Sequence, residues 1–147
     1  MYAKIIDGAL VKFPYSLEEM RAENPDVTFS DEPTDKELAA CNAKYAVMGP
    51  NPTQSSRTHR FELSFTPNKD GSVTINPVPH ELDRGVAEFN MRSARDAAMT
   101  RCDWVITRAF EKGEPVPANY LVYRDALRDL PSQEGFPYEY VWPVLGE

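Results

Sequence analysis

The sequence predicts an α+β protein: an N-terminal β-hairpin with two short helices, a central β-hairpin, and a C-terminal αα-hairpin with an extended aromatic tail. Three observations carry this. Short alternating apolar runs are broken by turn residues, two Ser/Thr-x-x-Glu patterns mark helix starts, and one long stripe of small apolar residues recurs at steps of three or four. Turn and proline clusters divide the chain into segments 1–50, 51–82 and 83–147.

The first hairpin is predicted from residues 2–6 and 10–13, separated by Asp7-Gly8, a dipeptide suited to turn positions that need positive φ. Pro14 ends the second run, and Ser16-Leu17-Glu18-Glu19 forms a capping box that opens a short helix, stopped by Asn24-Pro25. The pattern recurs at Thr34-Asp35-Lys36-Glu37, where Leu38, Cys41 or Asn42, and Tyr45 are spaced as one face of a second short helix. Ala46-Val47-Met48 extends as a strand, and Gly49-Pro50-Asn51-Pro52 closes the segment.

In residues 58–65, His59, Phe61, Leu63 and Phe65 alternate with polar residues, which predicts a strand with one buried face. The turn cluster Pro67-Asn68-Lys69-Asp70-Gly71 returns the chain to a strand through Val73 and Ile75, and Pro77 and Pro79 predict an edge position. Asp83 then opens the longest helix, with Ala87, Met91, Ala94, Ala98, Cys102, Val105 and Ala109 on one narrow stripe. Small residues permit close approach of a second helix, predicted after Pro115-Val116-Pro117, with Tyr120, Tyr123, Leu127 and Leu130 inward and Pro131 as its stop. The last segment, from Phe136-Pro137 through Tyr138, Tyr140 and Trp142-Pro143, suits an extended strap laid on an apolar surface.

The formal charge of −7 on 147 residues disfavours phosphate backbones and anionic membranes, so nucleic acid is not an expected partner. Arg84, Arg92, Arg95, Arg101 and Arg108, interrupted by acidic residues, are expected on one solvated helix face. No long apolar segment predicts a signal peptide or membrane insertion. Cys41 and Cys102 lack the spacing of a zinc site or a disulfide framework, fit a reduced cytoplasm, and are expected as small buried residues.

Catalysis would need a nucleophile with a base, a metal cluster or paired carboxylates in a cleft. His59 sits on the apolar face of a strand and His80 follows a proline, neither with a second ligand at metal spacing. Asp125 and Asp129 share a helix face with Arg124 and Arg128, which suits local ion pairs better than a glycosidase pair. No catalytic residue, metal or cofactor is expected.

A set of anchors in the C-terminal segment follows a recognisable order: Arg92, Arg95-Asp96, Cys102-Asp103-Trp104, the run from Tyr123-Arg124-Asp125 to Leu130-Pro131, Gly135-Phe136-Pro137 and Val141-Trp142-Pro143. On these residues the segment resembles the phage tail assembly chaperone family, small proteins or appended domains encoded among tail and tail-fibre genes. It departs from the family's usual pattern at Ala98-Met99, where an aliphatic pair is common, and at Tyr120, where a Trp is. A looser likeness to other small phage proteins runs through Tyr2-Ala3, Asp7-Gly8, Phe13-Pro14-Tyr15-Ser16, Asn24-Pro25 and Glu32-Pro33-Thr34-Asp35, whereas the central hairpin matches no known pattern.

The resemblance implies a protein that binds phage tail or tail-fibre subunits in the host cytoplasm as an assembly chaperone. The alternative is a permanent virion component, such as a baseplate, fibre-adaptor or fibre-associated subunit, and a more remote one is a cell-wall hydrolase. Trp104, Asp103, Tyr123 and Leu127 are expected mainly as signature and core of the αα-hairpin. Phe136, Tyr138, Tyr140 and Trp142 of the tail, with Arg124 and Arg128, are the expected partner-binding residues, and docking of Trp142 on the protein's own hairpin is equally compatible with the pattern.

Overall fold

A computed structural model describes residues 1–146 and contains both strands and helices. The chain forms two compact units, one of Met1–Thr53 with Phe61–Pro79, the other of Gln54–Arg60 with the residues from His80 onward.

In the first unit, strands β1 (Tyr2–Ile6) and β2 (Ala9–Lys12) pair antiparallel, with a register shift between Lys4 and Ile5. Asp7 and Gly8 both take positive φ, 51° and 77°, the turn geometry whose twist matches the flanking strands. Helices α1 (Leu17–Glu23) and α2 (Asp35–Ala40) each start at a complete capping box, Ser16 with Glu19 and Thr34 with Glu37. Each box satisfies backbone N–H groups that a helix start leaves without partners. Tyr15, Met20, Phe29, Leu38, Cys41 and Ala43 form one buried cluster, and Ala3, Ala46, Val73 and Ile75 form another. Because side chains alternate along a strand, Tyr2 and Ala43 serve the first cluster while Ala3 and Ala46 serve the second.

The second helix is shorter than its apolar spacing predicts, and Tyr45 is not on it. Cys41 caps α2, Asn42 turns the chain with φ 55°, and Tyr45 lies in β3 (Ala43–Met48). Pairing with β1 decides the outcome: Tyr45 is the register partner of Tyr2, their rings 5.0 Å apart.

Strands β4 (His59–Pro67) and β5 (Val73–Glu81) are neighbours joined by a turn in which the Ser72 N–H donates to the Asp70 carboxylate at 3.0 Å. β5 also pairs parallel with β3, Ala46 opposite Val73 and Met48 opposite Ile75, so one sheet in the order β2-β1-β3-β5-β4 joins strands of the 1–50 and 51–82 segments. The prolines therefore do not mark an edge strand. The ladder between β3 and β5 reaches only Ile75, whose carbonyl accepts the Gly49 N–H at 2.8 Å, so Pro77 and Pro79 fall beyond it, and of these two strands it is β4 that lies at an edge of the sheet. The expected buried face of β4 is also only half realised. Phe61 and Phe65 are half-buried and Leu63 is 44% exposed, as suits a strand with a neighbour on one side.

In the second unit, α3 (Arg84–Lys112) starts where the Asp83 carboxylate accepts the Gly85 N–H at 2.9 Å and ends at Gly113, in the left-handed conformation with φ 65°. α4 (Ala118–Asp129) follows Pro117, and a 3-10 turn at Leu130–Ser132 ends it.

Candidate docking surface on the helical unit

The stripe on α3 is buried as its spacing predicts, through Ala87, Met91, Ala98, Cys102, Val105 and Ala109, with Ala94 half-buried. Small side chains there admit α4 closely, and Leu127 is its buried contribution. The two helices meet in opposite order: Tyr120 lines one hollow with Val105 and Ala109, Tyr123 lines another with Ala94 and Ala98, and Leu130 packs with Met91. α3 and α4 pack on each other in that register.

Arg124 locks that register. Its Nη1 donates to the Met99 carbonyl at 3.0 Å and to the Asp103 carboxylate at 2.8 Å, and only 14% of its side chain is exposed. Expected as a partner-binding residue, Arg124 instead fastens its own two helices, because the reach of its side chain ends on α3. Arg128 is exposed and pairs with Asp125 of its own helix. Tyr123 is half-buried and Asp103 exposed.

The aromatic segment is not an extended tail. It turns through residues 134–138, burying Phe136 and Pro137, with Phe136 against Met91 and Leu130. Tyr140 and Trp142 pack on the same cluster, edge to face at 6.4 Å. Three polar ties hold the turn down. The Gln133 side chain donates to the Val141 carbonyl at 2.9 Å and accepts the Val141 N–H at 2.7 Å, and the Tyr138 hydroxyl donates to the Leu82 carbonyl at 2.6 Å. Arg92 lies over the Phe136 ring, 5.8 Å from its centre. Phe136 and Tyr138, expected to meet a partner, are thus engaged internally, while Tyr140 and Trp142 stay half-exposed.

Trp104 departs from expectation in the opposite direction, being 58% exposed rather than part of the core. It stands about 100° round the helix from Val105 and about 200° from Cys102, outside the arc that α4 covers. Phe110, 88% exposed, and Phe89, 71% exposed, also lie off the stripe. A signal for both was present in the sequence: they are large apolar residues on α3 outside its buried repeat. Trp104 borders an open hollow of about 220 Å³ with Arg108, Glu114, Pro115 and Tyr120. The five helix arginines do not share one solvated face either. At about 100° per residue, Arg84, Arg92 and Arg95 flank one side of the buried stripe, and Arg101 and Arg108 flank the other.

His59 and the two cysteines are packed into the fold. The His59 Nδ1 lies 2.8 Å from the Thr58 hydroxyl and its ring meets Tyr138 edge-on at 5.9 Å. Both cysteines are buried, and among the described residues no three His, Cys, Asp or Glu side chains are grouped to hold a metal ion. No helix among the described residues is long and apolar enough to cross a membrane.

This unit has two helices tied by Arg124, with large aromatic side chains of α3 left exposed. Residues 89–147, from Phe89 through α4 and the folded tail segment, match the family of phage tail assembly chaperone proteins. No curated protein and no solved structure matches the chain. The family match supports a role in phage tail assembly.

Proposed function

We propose that the protein binds a tail or tail-fibre subunit in the host cytoplasm during assembly and acts there as a chaperone. The observation that carries this reading is the exposure of Trp104 and Phe110 within the family-matching segment. Large exposed aromatics on a rigid helix are the groups that most often dominate a protein interface. By covering apolar surface or an unpaired strand edge on the subunit, the protein suppresses its premature association.

Co-expression with the products of neighbouring tail genes, followed by affinity capture, tests the proposal. One tail or tail-fibre protein should be retained by the native chain and lost with Trp104→Ala combined with Phe110→Ala. Retention of none by the native chain overturns it.

A further inference from the structure

The helical unit contains a second hollow, of about 340 Å³. Alanines of α3, the aromatic side chains of Tyr123, Tyr140 and Trp142, and Arg57 and Arg101 line it. Among the described residues, no acidic one lines it. Among the described residues, neither guanidinium has an ion-pair partner, and Arg57 bonds only through its backbone. Arg21, Arg84, Arg92, Arg95, Arg124 and Arg128 each face a carboxylate, and Arg108, also without an ion pair among the described residues, lines the hollow that holds Glu114.

In a chain of net charge −7, a hollow lined by aromatics and two arginines without ion-pair partners, and by no acid among the described residues, is a local concentration of positive charge. We infer that this hollow is a binding site for an acidic peptide segment of a partner protein, with carboxylates on Arg57 and Arg101 and an apolar or aromatic side chain between Tyr123, Tyr140 and Trp142. Arginine suits this role because its planar fork matches a carboxylate with two parallel hydrogen bonds. The aromatic faces supply the apolar contact. Nucleic acid is the other polyanion such arginines attract, but a long phosphate backbone would also meet the acidic surface of the chain. A short segment meets only the hollow. This inference rests on the proposed partner-binding function and adds the partner's chemistry and the place where it docks.

The test uses the full chain and a blocked glutamate–tryptophan–glutamate peptide, followed by NMR at the Trp142 indole and the arginine side chains. Binding should shift the Trp142 and Arg101 signals. It should weaken about tenfold or more with the glutamine version of the peptide, or with Arg57→Gln combined with Arg101→Gln, since charge-assisted bonds are lost in both. Lys69→Gln with Lys112→Gln, which removes the same charge elsewhere, should leave binding unchanged. The inference is overturned if no signal shifts, if the glutamine peptide or the arginine double variant binds equally well, or if a single-stranded oligonucleotide binds the hollow more tightly than the peptide. Partner capture separates the two proposals. Loss of the partner from the native chain sinks the function, whereas equal retention by native chain and arginine double variant sinks only the hollow.

Discussion

The Arg124 guanidinium stands 2.8 Å from the Asp103 carboxylate, a contact between α4 and α3 across 21 residues of sequence. Both belong to the anchors that carry the family resemblance, and the structure gives their association a physical reason: the pair fixes how the two helices align. Since Arg124 is largely buried and also serves the Met99 carbonyl, Arg124→Ala should destabilise the unit by about 1–2 kcal/mol. Asp103→Asn should cost less, because its carboxylate is more than half exposed. Urea unfolding of the two variants checks the order.

Trp104 and Leu127 make a contrasting pair. Leu127 is fully buried, so Leu127→Ala should remove about 2–5 kcal/mol of stability through lost burial and the cavity left behind. Trp104→Ala should change stability by no more than about 0.5 kcal/mol, as exposed substitutions generally do. It should nonetheless abolish or sharply weaken partner capture when combined with Phe110→Ala. A large loss of stability from Trp104→Ala would show that the side chain serves the hairpin and not a partner.

Acid should weaken the first unit through its capping boxes. Hydrogen bonds from the Thr34 backbone and hydroxyl and from Ser30 hold the Glu37 carboxyl down to about 2, from an ordinary 4.5. Lys12, and then Ser16, hold Glu19 down to about 2. Groups whose pKa falls on folding leave the unfolded chain binding more protons. Their stabilisation is full above the ordinary value and is lost as the pH falls through the folded one. Stability followed by circular dichroism should therefore decline between about pH 5 and about pH 2. Glu37→Gln should lower stability at neutral pH and flatten that decline, and an unchanged slope would remove Glu37 from the explanation.

Purified particles distinguish a chaperone from a permanent subunit. A chaperone leaves when assembly is complete, so mass spectrometry of virions should find the protein absent or far below the tail subunits. A fixed stoichiometric amount would instead assign the same surfaces to a stable virion interface.

The engagement of the cysteines gives a simpler check. Cys41 and Cys102 are both buried, and burial pushes the Cys41 thiol above its usual pKa. Labelling by a thiol reagent should be slow in the native protein and become rapid on unfolding. Fast labelling in native buffer would contradict the packing of both helices.

Several features were set by the sequence alone because their causes are local. Asp7-Gly8 dictates its turn through backbone conformation, Ser16 with Glu19 and Thr34 with Glu37 dictate helix starts through bonds spanning three residues, and the α3 stripe follows from helical periodicity. The family anchors of residues 89–147 were likewise legible as sequence. Other features were decided only when distant parts of the chain met. Tyr45 left the helical pattern because β1 offered it a strand partner, and β5 became an inner strand because β3 paired with it in parallel. The same holds for the candidate site. The tail containing Phe136 folded onto Met91 and Leu130, Arg124 turned inward to Asp103, and Trp104 stayed outside the arc that α4 covers. Periodicity tells which side of a helix is apolar, but whether a given side chain is buried, paired or left for a partner depends on where its neighbours in space stop.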